Sequence, residues 1–507
     1  MEFSPWILTV FVLYFLVLIG IAVARARGMQ EMSDYVLGGR RVGRITSALS
    51  AGSSAASGWT MLVFPALAFQ HGLIELWTGL GIVVGSWLTW IVLAKRLRRF
   101  TIAAENSLTL PEFYERRFRD RTGVLRTLAG FITVFFVIFY ISSGLIAGAK
   151  LLETVFGLDY NSGIIVTLIA VASYTFIGGF LAVSRTDVFQ ALIMLGGFLI
   201  LPITMIVMVG NPFQGAGTLP AGFWNPLTDA EGEPITLFFL LSAAGWGAGY
   251  FGSQRFLQRF MAVESEAQIG PSRDLGTVWI ILMFGLGLLL GVVALPALSQ
   301  ANMLAEVTAD PERVYLVAAE VFFFPVVTGL LLTAVIAAVM STADSQLLLG
   351  YAVATDDLPF IKRLIYAKRY VFVLGAFVRV WVGRALLVVV GIIAALLSIF
   401  NPESVSTLVA YAWGGMGAAF GPVTLLALYW RRFNVWGALA SMITGTVVSS
   451  IWGYLSGGPG GLWDIQPATP GFLLAILVAV AVTLLTAKPS EEVVELFDRT
   501  MAGEEAD

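Results

Sequence analysis

The sequence predicts an all-α membrane protein that crosses the bilayer many times. Of its 507 residues, 58% are hydrophobic and 12% are charged, whereas ordinary soluble domains carry about a quarter charged residues. The mean hydropathy is +0.85. Apolar runs of about 20 residues, the length that crosses a bilayer, recur along the whole chain. We delimit about 13 such spans, at residues 6–25, 45–70, 76–94, 125–151, 161–179, 187–209, 236–258, 276–298, 323–348, 376–400, 404–429, 435–455 and 471–487.

The basic residues predict how these spans are oriented. An odd number of spans places the two termini on opposite sides of the membrane, and Lys and Arg concentrate in cytoplasmic loops. When the connections are assigned alternately to the two sides, one set contains only Lys150 and Arg313 of the 30 Lys and Arg residues. The other set includes Arg255 and Arg259, which we assign to a cytoplasmic connection. We therefore expect the N-terminus outside and the C-terminus in the cytoplasm.

Residues 1–489 are expected to form one transmembrane domain, and residues 490–507 a polar, acidic and largely solvated cytoplasmic tail. The chain has no cysteine, which excludes disulfide and thiol chemistry, and its one histidine, His71, falls at the predicted end of a span. The sequence contains no metal-ligand cluster, no nucleophile–base pair with a histidine and no nucleotide-binding loop. These observations argue against an enzyme. We expect no nucleic-acid partner, and no obligate protein partner is evident from the sequence.

The second predicted span is interrupted by small polar residues. Residues 50–59 read S-A-G-S-S-A-A-S-G-W. This composition weakens a helix and lets another backbone approach closely. Irregular backbone at membrane depth persists only where it is buried in protein or lines a cavity. We interpret the stretch as a broken helix beside a solute or ion site, with a small-residue packing face as the alternative.

A second interrupted segment follows about five spans later, where glycines are interspersed with aromatic residues between positions 242 and 255. Transporters built from inverted repeats place interrupted helices at matching positions near the membrane midplane. The interval therefore predicts two repeats, at about residues 45–209 and 236–429. A third glycine-rich segment, 413–422, predicts either a bendable gate or a close packing surface.

Polar residues at membrane depth are candidate cation ligands. Ser341, Asp344 and Ser345 lie in the span that begins near residue 323. Ionisable residues inside spans usually face a cavity or a partner, and residues three and four apart share a helix face. Hydroxyl and carboxylate oxygens suit a small hard cation. A hydrated position near the cytoplasmic end of the span is the alternative for Asp344.

Two further candidates each have two interpretations. Asp187 stands where a short turn enters the next span, so it is either an ion-pathway residue or a helix cap. Tyr140 lies in the middle of a span, where it either packs or joins Trp59, Trp246 and Tyr250 in an aromatic pocket for a small zwitterion.

These motifs resemble those of the sodium:solute symporter family, most closely its bacterial sodium/proline branch. The resemblance covers nearly the whole membrane region and rests on 35–40 (YVLGGR), 57–59 (SGW), 174–184 (YTFIGGFLAVS) with 186–187 (TD), 245–247 (GWG), 249–252 (GYFG), 338–342 (AVMST), 346–348 (QLL), 411–413 (YAW) and 417–422 (GAAFGP). It implies a leucine-transporter-type five-plus-five inverted repeat with one leading and two trailing helices. It also implies multi-pass insertion in the bacterial cytoplasmic membrane.

The resemblance also implies roles for individual residues. The main sodium site would consist of the side chains of Ser341 and Thr342 and backbone carbonyls near Ser53, Ala56 and Ala338. A second cation site or exit path would involve Asp187 and Ser345, with Asp344 adjacent. The substrate pocket would include Ser57, Gly58, Trp59, Tyr140, Trp246 and Tyr250.

The chain departs from the family pattern at three places. Ala55 stands where proline symporters typically have an aspartate linked to sodium dependence, and we hypothesise that Asp344 partly replaces that charge. Arg185 replaces a family tryptophan and is expected to pair with Asp187. Residues 253–255 read S-Q-R instead of the usual Q-P-H, which bears on substrate identity.

The implied function is import of L-proline, a small-molecule substrate, driven by Na⁺ across the lipid bilayer through alternating access. Within transport, the alternative is sodium- or proton-coupled uptake of another small solute, such as pantothenate, another carboxylate or a compatible solute. A non-transporting membrane sensor is an alternative from a different class, and the alanine at position 55 is its only support.

Overall fold

The computed structural model describes residues 4–26, 32–210, 219–359, 371–455 and 464–503. Within these ranges the chain is helical, and extended pairing is limited to two isolated bridges. The first half contains α1 (Pro5–Ala26), α2 (Met32–Leu37), α3 (Arg44–Ala55), α4 (Phe64–His71), α5 (Leu76–Thr89), α6 (Lys95–Ala103), α7 (Leu110–Arg117), α8 (Val124–Phe156) and α9 (Tyr160–Val209). The second half contains α10 (Leu237–Gly252), α11 (Gln254–Ala262), α12 (Ile269–Gln300), α13 (Leu304–Ala309), α14 (Val314–Phe322), α15 (Pro325–Asp356), α16 (Val371–Phe400), α17 (Val405–Tyr429), α18 (Val435–Leu455), α19 (Ala468–Leu485) and α20 (Glu491–Ala502).

The prediction of an all-α membrane protein is confirmed for the described part of the chain. There, nine helical segments are long and apolar enough to cross a membrane, and three shorter apolar helices accompany them at Tyr160–Ser173, Leu237–Gly252 and Ala385–Phe400. The count of 13 spans and the layout of the two repeats stay predictions.

Both predicted interruptions are present, and they have nearly the same backbone conformation. α3 ends at Ala55, Ala56 is extended at φ −78° and ψ 101°, and a π-helical turn, Trp59–Val63, leads into α4. α10 ends at Gly252, and Ser253 is extended at φ −69° and ψ 96° before α11 begins. Each break exposes backbone groups that a continuous helix would satisfy internally.

The connection between the predicted spans 161–179 and 187–209 is shorter than expected. The chain is helical from Tyr160 to Val209 except at Gly179, which has φ 57° and ψ −168°. Only glycine adopts this backbone conformation without severe steric cost, so one residue makes the kink that we had assigned to a seven-residue turn. Residues 180–186 are therefore helical, and Asp187 lies within α9.

Within the expected polar and largely solvated tail, residues 491–502 form the amphipathic helix α20. Val493, Leu496 and Phe497 are buried, and the Phe497 ring centroid lies 5.6 Å from that of Phe100 on α6. We missed the apolar face because it is short and is embedded among acidic residues.

Helix α15 lies at the centre of the bundle. It packs against α3, α8, α9 and α1, and 78% of its most apolar window is buried, compared with 28% for α1 and α19. A helix surrounded on all sides by protein can carry polar groups at membrane depth, because they find partners other than lipid. This position brings the polar segment of α15 against the break after α3.

Candidate ion and solute site

The break after α3 faces two hydroxyl groups on α15. The Ser341 hydroxyl lies 3.1 Å from the Ser53 carbonyl oxygen and 3.3 Å from that of Ala338. The Thr342 hydroxyl lies 3.2 Å from the Ser54 carbonyl oxygen and 3.3 Å from that of Ala56. All these residues are buried. The structure thus brings together the five residues to which the resemblance assigns the main sodium site, and it adds the Ser54 carbonyl.

The spacing of these oxygens is compatible with a small hard cation. A hard ion such as Ca²⁺, which has nearly the ionic radius of Na⁺, binds oxygens at about 2.3–2.6 Å, so octahedral neighbours around it lie about 3.3–3.7 Å apart. The distances of 3.1–3.3 Å require only a small expansion. Because each hydroxyl has one proton and free lone pairs, both can rotate to present a lone pair to a cation.

A buried ion pair lies beside this oxygen cluster. Asp187 Oδ2 accepts hydrogen bonds from the Ser50 hydroxyl at 2.6 Å and from Arg259 Nη2 at 3.1 Å. Arg259 also donates to the Ser345 hydroxyl at 2.7 Å and to the Arg255 carbonyl at 2.9 Å. Asp187 and Arg259 are fully buried. The predicted second-site residues Asp187 and Ser345 are therefore brought together, and a guanidinium group joins them.

This geometry corrects two expectations and argues against one alternative at Asp187 and one at Asp344. Asp187 pairs with Arg259 and not with Arg185, whose side chain is exposed. Asp187 is not a helix cap, because it lies inside α9. Arg255 and Arg259 do not lie in an exposed connection, since both are buried in α11. Asp344 is fully buried, which argues against the hydrated position, and it interacts electrostatically with Arg259.

Sequence reasoning missed Arg259 because basic residues beside an apolar run ordinarily mark a loop. Its spacing of four residues from Arg255 was an available signal. That spacing places both side chains near each other on one face of a helix, and it follows directly after the second interrupted segment.

The predicted aromatic residues form a connected group. The ring centroids of Trp59 and Trp246 lie 4.3 Å apart. The Trp246 carbonyl accepts a hydrogen bond from Trp413 Nε1 at 2.9 Å, and the Trp413 ring packs edge-to-face on Tyr250 with centroids 4.8 Å apart. Tyr140 joins through the Arg255 guanidinium, whose carbon lies 4.0 Å from its ring centroid. Trp413, which we had assigned to a gate or a packing surface, connects the group.

Ser57 and Gly58 lie at the break itself. The Ser57 hydroxyl accepts a hydrogen bond from the Trp59 backbone N–H at 3.2 Å, which helps to restart the helix. A Cβ atom on Gly58 would lie 2.6 Å from the Cβ of Ala147 on α8. Gly58 therefore allows close packing of the break against α8.

A cavity of about 1110 Å³ reaches this aromatic group from one end of the bundle. Trp246, Phe139 and Tyr411 are among its aromatic lining residues. Around the cavity lie titratable side chains from several connections: His71, Glu75, Asp229, Glu231, Glu403 and Asp464. Trp246 lines the cavity and also stacks on Trp59, so the cavity leads to the predicted solute pocket.

Known proteins match this chain over nearly its whole length. The sodium:solute symporter family matches residues 35–445. The sodium/proline symporter of Escherichia coli strain K12 is 36% identical over 504 residues, which cover 98% of this chain and 96% of that protein. The high-affinity proline transporter PutP of Bacillus subtilis strain 168 is 36% identical over 473 residues, covering 92% and 96%.

Solved structures share the fold. A substrate-bound, outward-open Na⁺-coupled sialic acid symporter superposes with a TM-score of 0.78 and covers 97% of this chain and 100% of its own, at 18% identity. Mhp1 is a nucleobase-cation-symport-1 family transporter whose structure was solved in a closed conformation with bromovinylhydantoin bound. It superposes with a TM-score of 0.55 at 14% identity and covers 92% of this chain and 99% of its own.

Proposed function

The chain belongs to the sodium:solute symporter family, and on that premise we propose that it imports L-proline together with Na⁺ by alternating access. It is a multi-pass membrane transporter and not an enzyme. Proline is favoured because relatives about 35% identical over nearly the whole chain are named proline transporters.

One observation carries the proposal. The oxygen cluster around Ser341 and Thr342 adjoins the break after α3, and Trp59, at the far side of that break, stacks on Trp246 at the cavity. A cation bound to the cluster would hold the backbone of the break in one conformation. Because the break connects to the aromatic group, sodium occupancy would be coupled to the shape of the solute pocket.

Specific roles follow from this proposal. The side chains of Ser341 and Thr342 and the carbonyls of Ser53, Ala56 and Ala338 hold Na⁺. The aromatic group of Trp59, Trp246, Tyr250 and Tyr140, with Ser57 and Gly58 at the break, receives the solute. The two repeats form a leucine-transporter-type bundle with one leading and two trailing helices, an external N-terminus and a cytoplasmic C-terminus, so the cavity is an outer vestibule.

Uptake of labelled L-proline into liposomes containing the purified protein tests the proposal. We expect accumulation with an inward Na⁺ gradient and little with K⁺ or with a proton gradient alone. Accumulation driven only by protons would refute the sodium assignment. Absence of proline uptake under every gradient would refute the proline assignment, and the next experiment would be a screen of other small solutes.

The role of Asp344 forms part of the proposal. Position 55 carries no carboxylate, and Asp344 is fully buried within one helical turn of Ser341. Its negative charge would raise sodium affinity at a cluster that otherwise has only neutral oxygens. We expect Asp344→Asn to raise the Na⁺ concentration for half-maximal proline uptake at least 10-fold, and an unchanged value would exclude this role.

A further inference from the structure

Arg255 is a buried cation without a hydrogen-bond partner in the described part of the chain. Its side chain is 1% exposed, and neither Nε, Nη1 nor Nη2 contacts an acceptor there. Arg259, one turn further along α11, is equally buried but donates to Asp187, Ser50, Ser345 and the Arg255 carbonyl. A buried charged group normally has hydrogen-bonding partners, so the exception calls for a ligand.

Two aromatic rings hold the Arg255 guanidinium in place. Its carbon lies 4.0 Å from the Tyr140 ring centroid and 5.7 Å from that of Trp413. A guanidinium stacked on a ring uses its flat face for that contact, whereas its five N–H donors lie in the plane and point outward. Ring contacts therefore stabilise the cation and leave its hydrogen-bond donors available.

The surroundings of Arg255 are the proposed solute pocket. Tyr140 belongs to it directly, and Trp413 packs on Tyr250 and donates a hydrogen bond to the Trp246 carbonyl. Trp246 in turn lines the cavity. Asp187 interacts electrostatically with Arg255, but the hydrogen bonds that Asp187 accepts from side chains come from Ser50 and Arg259.

We infer that Arg255 binds the carboxylate of the transported amino acid. This inference rests on the proposed function, since it names the group of that substrate which the pocket reads. A carboxylate accepts two parallel N–H···O bonds from a guanidinium, and Tyr140, Tyr250 and Trp413 supply apolar surface for the remainder of a small solute. Amino acids and other small carboxylates fit this site, whereas neutral solutes and amides leave the cation unpaired.

Discrimination between an acid and its amide tests the inference. Inhibition of labelled L-proline uptake is measured with unlabelled L-proline and with L-prolinamide, in which a neutral amide replaces the carboxylate. For the unmodified protein we expect L-proline to inhibit uptake at a concentration at least 100-fold lower than that required of L-prolinamide. In Arg255→Gln the proline concentration for half-maximal uptake should rise about 100-fold, and the preference for proline over prolinamide should fall below 10-fold. Arg255→Lys keeps the positive charge and should retain part of this preference. An Arg255→Gln protein that keeps the full preference would overturn the inference.

Controls separate binding from folding. Arg96→Gln removes another arginine that stacks on an aromatic ring, 3.8 Å from the Tyr429 centroid, but outside the pocket, and it should leave the preference unchanged. The Na⁺-induced shift in the thermal unfolding temperature of purified Arg255→Gln should match that of the unmodified protein, which shows that the fold and the cation site persist.

Failure of the proposed function is distinguishable from failure of this inference. If the unmodified protein transports no proline, thermal unfolding is followed with glycine, L-alanine and L-proline, each paired with its amide. Stabilisation by a carboxylate that Arg255→Gln abolishes supports the carboxylate site whatever the transported solute is. Equal stabilisation by acid and amide, or stabilisation by none of the six compounds, overturns it.

Discussion

At the scale of single residues, the candidate sodium site is built from hydroxyl and carbonyl oxygens. Neutral oxygens attract a cation less strongly than a carboxylate does, so affinity depends on how many of them converge. The Ser341 and Thr342 hydroxyls each lie close to two backbone carbonyls, which belong to Ser53, Ser54, Ala56 and Ala338. Each ligand should therefore have a measurable effect by itself.

Removal of one hydroxyl should weaken sodium binding. Thr342→Ala deletes a proposed ligand of the cation, a loss of about 1.5–3 kcal/mol, which corresponds to about a 10- to 150-fold rise in the Na⁺ concentration for half-maximal uptake. Thr333→Ala is the matched control, because Thr333 is also buried in α15 but donates only to the Gly329 carbonyl within its own helix. Equal effects of the two substitutions would contradict the assignment.

The pair of Asp187 and Arg259 should show strong coupling between its two members. Removal of one partner leaves a buried charge without compensation, at a cost of about 3–5 kcal/mol. We expect Asp187→Asn and Arg259→Gln each to lower the thermal unfolding temperature markedly and the double variant to recover part of the loss. In the exposed pair of Arg431 and Asp498, the corresponding substitutions should change the thermal unfolding temperature only slightly. Simple additivity at the buried pair would exclude the coupling.

At the scale of helices, composition predicted the two breaks but not the kink at Gly179. The two breaks can be recognised in the sequence because several glycines and serines interrupt an apolar run. Each break lies within a predicted span. The kink depends on one glycine with positive φ in a sequence whose neighbours are all compatible with helix. The paired positions of Asp187 and Arg259, 72 residues apart in the chain, depend on helix packing, which no local pattern specifies.

The contact between α5 and α10 depends on glycines spaced four residues apart. A Cβ atom on Gly85 would overlap with the backbone of Gly247, and one on Gly81 with the carbonyl of Ala243. Such small-residue stripes let two helix backbones approach closely in a membrane.

Substitution of one of these glycines should separate the two helices. We expect Gly85→Ala to destabilise the protein by about 1–3 kcal/mol through overpacking, seen as a lower thermal unfolding temperature. Gly285→Ala on α12, where a Cβ would meet nothing within 4 Å, should be neutral or slightly stabilising because alanine favours helix. A stable Gly85→Ala protein would show that α5 and α10 can reposition without cost.

At the scale of the whole molecule, one buried network joins elements from both halves of the chain. Ser50 is on α3, Asp187 on α9, Arg259 on α11 and Ser345 on α15, and their side chains share hydrogen bonds. The oxygen cluster joins α3 to α15 in the same region. Alternating access requires such elements to move relative to one another, so these contacts are the natural places for occupancy by Na⁺ to control the movement.

The orientation that we propose for the molecule rests on the charges of its connections. Even after Arg255 and Arg259 are removed from the loop count because they are buried, only Lys150 and Arg313 remain on the predicted outer side. The chain contains no cysteine, so single cysteines introduced at exposed positions report their side directly. Gln300, at the end of α12, and Glu491, at the start of α20, are both exposed.

A membrane-impermeant maleimide added to intact cells should therefore label Gln300→Cys. It should label Glu491→Cys only after the membrane is permeabilised, because positive charge retains that side of the protein in the cytoplasm. The cysteine-free parent sets the background. The reverse pattern would invert the topology, and it would also make the cavity beside Trp246 an exit path to the cytoplasm instead of an entrance from outside.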